Sequence, residues 1–178
     1  MLRGEKTGLR ARHESDVPVL HAELYEDVAT RSRSDTRPWR PIAPGSAASP
    51  YAVADPSDDV SFFSVLELAS GELAGEALLW GIDVHNRTAH VGMSLRPSFR
   101  GRGLSGDVVR VLCHYGFTVR GLQRLQLETL TDNIAMSRAA LGAGFTQEGI
   151  LRRAAWVNGA FVDEVVFGLL ADEWNGRS

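Results

Sequence analysis

Residues 100–106 read Arg100-Gly101-Arg102-Gly103-Leu104-Ser105-Gly106, a glycine-rich, doubly cationic stretch between an apolar strand-like run and an amphipathic helix-like run. Three glycines allow a tight turn and bring backbone N–H groups close to an anion. The start of a helix adds unpaired donors and a favourable dipole. The segment is suited to holding a phosphate.

Two patterns fit it. Gly101, Gly103 and Gly106 satisfy G-x-G-x-x-G, and Glu128 follows at about the 20-residue distance that the dinucleotide fingerprint asks for. That fingerprint needs a strand running straight into its first glycine. Here Arg96 to Arg100 intervene, and Pro97 ends the strand early. The loop also lies past the middle of the chain, too late for the βα units of a doubly wound fold to follow. The second pattern is R-x-x-G-x-S, formed by Arg100, Gly103 and Ser105.

Working outward, a chain of 178 residues with 44% hydrophobic content can bury one good core, so residues 1–178 are expected to form one domain. A net charge of −3, with basic residues scattered rather than striped, argues against a nucleic-acid partner. No run is long enough to cross a bilayer and no apolar leader is seen, so a cytoplasmic location without membrane attachment is expected. The lone Cys113 falls in a helical pattern and reads as a small core hydrophobe in a reducing compartment.

Asp16 to Ala29 carries Val17, Leu20, Leu24 and Val28 at helical spacing. From Arg31 to Asp59 the pattern dissolves into an irregular stretch of the kind that is usually functional. Val60 to Leu68, Glu72 to Ile82 and Thr88 to Leu95 read as three consecutive antiparallel strands. After the loop, Leu104, Val108, Val111, Leu112, Tyr115 and Val119 repeat as one face of a helix that Gly121 ends. Leu125 to Leu130 is a strand and Asn133 to Ala143 a short helix. Phe145 to Trp156 and Phe161 to Leu170 form a hairpin around Asn158-Gly159.

This order, with R-x-x-G-x-S between a strand and a long helix, resembles the GNAT acyl-CoA N-acyltransferases over nearly the whole chain; Ser105 stands where that family carries Gly or Ala. Asn133, Arg138, Gly144-Phe145, Glu148-Gly149 and Leu151-Arg152 are similar to the RimJ/RimL-like subgroup, which acetylates ribosomal-protein N-termini. Asn158-Gly159, Asp163 and Glu173-Trp174 match it too. The resemblance implies an α/β (α+β) GNAT fold, a mixed, mostly antiparallel sheet of about six to seven strands flanked by helices.

It also implies a site. Acetyl-CoA would place its pyrophosphate on Gly101, Arg102, Gly103, Leu104 and Ser105, with Arg100 and Arg102 adding charge. Its pantetheine arm would lie strand-like beside Met93, Ser94 and Leu95, and Asn133 would offer an amide, although Asn is equally suited to cap the helix it begins. The reaction implied is attack of a free amine on the thioester, through an oxyanion stabilised by the N–H of Met93 or Leu95. An amine of pKa about 10 needs a base, and His90, Glu76 and Glu128 are the candidates, each with an ordinary structural reading beside it. The superfamily's tyrosine acid falls on Ala140. Ser137, one step past the subgroup's serine position at Met136, shares a helical face with Asn133 and is the candidate substitute.

No metal is expected. The acceptor, a small-molecule amine or a peptide N-terminus, is expected to enter beside residues 31–59 and Trp156 to Phe161. Trp39, Tyr51 and Trp156 are candidate lining residues there, and Asp55 to Asp59 is a candidate cation attractor. A homodimer is left open. The alternatives are a non-catalytic CoA-binding module, favoured by Ala140, and a nucleotide-dependent oxidoreductase.

Overall fold

The computed structural model describes residues 1–35 and 37–174. One sheet of eight strands organises them, in the order β1-β2-β3-β4-β5-β6-β8-β7. The strands are β1 (Leu2–Arg3), β2 (Thr7–Arg10), β3 (Val60–Glu67), β4 (Leu73–Asp83), β5 (Thr88–Leu95), β6 (Arg124–Leu130), β7 (Thr146–Val157) and β8 (Ala160–Leu170). All neighbours pair antiparallel except β5 and β6, which are parallel. A mostly antiparallel sheet removes the doubly wound, dinucleotide-binding alternative.

The strand count exceeds the expected six to seven because β1 and β2 span two and four residues, too few to show an alternating pattern. They are held by a distant side chain. Asp107, in the first turn of α3 (Leu104–His114), accepts hydrogen bonds from Glu5 N at 3.1 Å, Lys6 N at 3.0 Å and Thr7 N at 2.8 Å. Thr7 Oγ1 adds a fourth at 2.6 Å.

The helix expected over Asp16 to Ala29 is two. The first, α1 (Val17–Leu20), widens into a π-helical turn at His21–Tyr25. The second, α2 (Val28–Ser34), is started by Asp27, whose side chain accepts from Thr30 N at 3.2 Å. Helix therefore reaches four residues into the stretch read as irregular from Arg31. Asp16 anchors the first helix to the sheet. Burial opposes its ionisation, but hydrogen bonds from Arg10, His13 N and Ser64 prevail and hold the carboxyl far below the usual carboxylate range.

The amphipathic stripe read from the sequence packs α3 onto the sheet, with Val108 and Leu112 fully buried among Leu79, Leu125 and Leu127, but its last member Val119 is exposed, because the extension Tyr115–Val119 widens to a π-helical turn that breaks the spacing. Cys113 lies in the same core, and burial pushes its thiol up to about 12, as a core hydrophobe requires. A last helix, α4 (Ile134–Gly142), covers β6 and leads into β7. No helix among the described residues is long and apolar enough to cross a membrane.

Candidate active site

The site originates where the sheet fails to close. β5 pairs with β6 through Thr88, Ala89 and His90 only, opposite Arg124, Leu125 and Gln126. Beyond His90 the strands splay. Arg96 N donates to Ala74 O at 2.9 Å, and two-residue alternation from that bond turns the backbone of Ser94, Gly92 and His90 toward β4. The N–H groups of Met93 and Leu95 therefore face the opening, with no strand beside them. Leu95 O, on the same side, accepts from Arg100 Nε at 3.0 Å.

Two clefts meet at this opening. One, of about 550 Å³, runs along Leu95, Arg100, Gly101 and Ser105. The other, of about 580 Å³, is lined by Phe62, Glu76, Trp80, Glu128 and Glu164 on the opposite side. Arg33, Ser34, Met93, Ser94, Leu130, Asn133 and Met136 line both. The first has the features of a donor cleft. Gly101 (φ +75°) and Gly103 (φ +74°) take left-handed backbone to make the turn, and Gly103 is the residue that begins α3. Turn, helix start and unpaired strand edge lie in sequence along it, which fits a ligand carrying phosphate at one end and an extended amide-bearing arm at the other.

The two cations of the loop differ: Arg100 lines the first cleft, and Arg102 is drawn aside. Arg102 pairs with Glu67 at 3.1 Å and lies over the Phe99 ring at 4.6 Å, away from either cleft. Asn133 caps α4, accepting from Met136 N at 3.2 Å, and donates from Nδ2 to Thr129 Oγ1 at 3.0 Å, while still lining both clefts. Ser137 Oγ donates to Asn133 O at 3.1 Å, and Ser137 does not line either cleft. Ala140 is fully buried. Among the described residues no tyrosine lines the clefts, and Ser34 and Ser94 are the hydroxyls that line both.

The three candidate bases separate. Glu76 is buried and bound to Arg12 at 2.8 Å; burial pushes its carboxyl up against the pull of that guanidinium. Arg12 is itself held over the Tyr51 and Phe62 rings, each at 5.6 Å, and its buried Nε has no hydrogen-bond partner among the described residues. His90 presents Nδ1 to Glu128 at 3.0 Å and stacks on Trp80 at 4.1 Å between centroids. Glu128 alone of that pair lines the cleft, just past the last paired rung. Burial raises its carboxyl, but hydrogen bonds from His90 and Gln126 outweigh burial and hold it below the usual range. Gly92 permits this floor, since a Cβ there would stand 2.9 Å from Leu78 Cδ2 and 3.6 Å from Trp80 Cδ1.

The expected aromatic lining differs. Tyr51 is fully buried, Trp39 donates to Tyr25 O at 3.1 Å, and Trp156 is 61% exposed against Phe161 at the hairpin tip. Phe62 and Trp80 take their place, on the sheet face that also carries Glu76. The Asp55 to Asp59 cluster lies in an exposed loop and does not line the cleft.

Comparison with known proteins bears on this geometry. The uncharacterized N-acetyltransferase YoaA of Bacillus subtilis (strain 168) is 31% identical over 99 residues, 56% of each protein. The ribosomal-protein-serine acetyltransferase of Escherichia coli (strain K12) is 30% identical over 101 residues, 57% of this chain and 56% of that one. Three of the curated relatives are matched over 56%, 64% and 60% of their own length, short of two thirds. Among solved structures, spermidine N-acetyltransferase from Vibrio cholerae in complex with CoA and spermine has the same fold, with TM-score 0.84 over 95% of this chain and 98% of that one, at 21% identity. The family model described as an acetyltransferase (GNAT) domain matches residues 6–146, a span that takes in the loop, the splayed strands and Asn133 alike, and the chain belongs to that family.

Proposed function

We propose that the chain is an acetyl-CoA-dependent N-acetyltransferase whose acceptor is a primary amine that enters as a cation. The observation that carries this reading is the meeting of two clefts at Met93, one leading from an anion-binding turn and the other holding Glu128. Acetyl-CoA supplies an activated acyl thioester. The chain supplies the rest: an unpaired strand edge for the arm, the Met93 or Leu95 N–H for the developing oxyanion, and Glu128 to take the proton from the amine, directly or through water. His90 and Gln126 orient Glu128. Because the thiol of CoA is itself fairly acidic, the leaving thiolate needs no committed acid, which suits a site whose tyrosine position is Ala140.

The charges of the acceptor cleft favour a cation. Asp35 is bound by Arg31 and Arg37, Glu76 by Arg12, and Arg33 by Asp132. Glu128 and Glu164 are left without an arginine among the described residues. They sit diagonally on adjacent strands, Glu164 opposite Leu130 and two residues along from Glu128. Burial and the neighbouring Glu128 charge push the Glu164 carboxyl up. An ammonium between them relieves both effects.

Release of thiol from acetyl-CoA on adding polyamines and peptides with free N-termini tests the reading. Turnover with at least one amine, reduced in Glu128→Gln, supports it. Binding of CoA without turnover across both panels would instead favour the non-catalytic module. Within the panels, turnover of polyamines without peptides would select a small-molecule acceptor, and the reverse a protein N-terminus.

A further inference from the structure

Lys6 is the chain's single lysine among 19 basic residues. Its main chain is fixed from a hundred residues away, because Glu5 N, Lys6 N and Thr7 N all donate to the buried carboxylate of Asp107. Gly4 permits this close approach, since a Cβ there would stand 2.5 Å from Asp107 Oδ2. The Gly4-to-Thr7 turn is thereby bound to the first turn of α3, the helix whose start forms the anion loop.

From this turn the Lys6 side chain reaches the loop at Gly103, beside the Arg100, Gly101 and Ser105 that line the donor cleft. Its Nζ lies 3.4 Å from the position a Cβ would occupy on Gly103. The ammonium makes no ion pair among the described residues, whereas the loop's own Arg102 is bound to Glu67 and Arg100 gives its Nε to Leu95 O. A turn suited to an anion thus has one arginine drawn aside, the other partly engaged, and a lysine from far along the sequence beside Gly103.

We infer that Lys6 is a phosphate-binding residue for the acyl donor, with Asp107 as the residue that positions it. This rests on reading the loop as the donor's phosphate cradle. The chemistry recognised is a phosphate of the CoA nucleotide, and its two sources are the pyrophosphate and the ribose 3′-phosphate. A short-range contact of this kind contributes to donor affinity and leaves the chemical step untouched, since the thioester lies at the other end of the arm.

The single lysine gives a direct test. An amine-reactive acylating reagent can mark only Lys6 and the N-terminal amine, and peptide mass mapping separates the two. Saturating CoA is expected to slow labelling of Lys6 by about fivefold or more while leaving the N-terminal amine unchanged. Protection by 3′-dephospho-CoA and by inorganic pyrophosphate identifies the pyrophosphate as the partner; loss of protection with 3′-dephospho-CoA identifies the 3′-phosphate. In calorimetry, Lys6→Gln is expected to weaken CoA binding about five- to tenfold, and Lys6→Arg to stay within about twofold of the native protein. CoA that binds without protecting Lys6, or Lys6→Gln with unchanged affinity, overturns the role of Lys6 alone. No CoA binding to the native chain would overturn the donor cradle itself.

Discussion

His90 Nδ1 lies 3.0 and 3.1 Å from the two carboxylate oxygens of Glu128, across the point where β5 and β6 part. The imidazole stands at the last paired rung and the carboxylate just beyond it, in the cleft. Orientation by the first and proton transfer by the second is the division of labour this relationship suggests.

Glu128→Gln keeps the shape and removes the basicity. It is expected to lower kcat by about a hundredfold or more while leaving CoA affinity unchanged. His90→Ala is expected to lower kcat by about tenfold and to move the acid limb of the kcat–pH profile upward, because the hydrogen bond that holds Glu128 low is then gone. Steady-state kinetics across pH with saturating amine checks both.

Arg12 and Glu76 stand or fall together. Arg12→Ala leaves a buried carboxylate without its counter-ion and is expected to destabilise the fold by about 3–5 kcal/mol. A carboxyl whose folded pKa is raised favours folding at low pH and loses that contribution as pH rises through the folded value, so the deficit of Arg12→Ala grows with pH. The double variant Arg12→Met with Glu76→Leu is expected to recover most of the loss. Urea denaturation at acid and neutral pH distinguishes these outcomes.

Gly103 holds its backbone at φ +74° where α3 begins. Gly103→Val is expected to strain the turn by about 1–2 kcal/mol and to weaken CoA binding by more than about tenfold. Gly142, in α4 with open space around it and ordinary helical backbone, serves as the control: Gly142→Ala is expected to stabilise by about 0.5–1 kcal/mol with CoA binding intact. Calorimetric titration and thermal melts report the two quantities separately.

Asp107 is 2% exposed and receives four hydrogen bonds from the N-terminal turn. Burial opposes its charge, but Thr7 Oγ1 and the three N–H groups hold its carboxyl below the usual range. Its contribution is therefore complete above the ordinary carboxylate pKa and is lost as pH falls through the folded value. Asp107→Asn is expected to lower stability by about 2–3 kcal/mol at neutral pH, with the gap to the native protein narrowing on acidification. Denaturant midpoints measured from neutral pH down to about pH 3 test the sign.

The sequence displayed the strands of the central meander and α3 because each is long enough for its period to show, and Thr88–Leu95 coincides with the strand read from alternation. It displayed the loop because glycine and cation patterns are local. β1 and β2 were illegible for the opposite reason, since their stability comes from Asp107 about a hundred residues on. The break at Asp27 was hidden inside a continuous apolar stripe. Alternation also places Phe62 and Trp80 on one face of the sheet, but only the parting of β5 from β6 turns that face into a cleft. Ser137 looked available from its spacing to Asn133, and the backbone carbonyl of Asn133 occupies it instead.

The parting of β5 and β6 has a genetic corollary. If the arm of the donor is gripped by the main chain of Met93 and Leu95, the codons for that strand can drift without loosening the grip. Proline is the one coded residue that deletes an amide hydrogen. The arm-binding edge should therefore tolerate apolar replacement at these two positions, Leu95 being buried in the core and Met93 packed against it, and lose its grip to proline. The acceptor cleft, written entirely in side chains such as Glu128, Glu164 and Trp80, stays open to redesign by single substitutions.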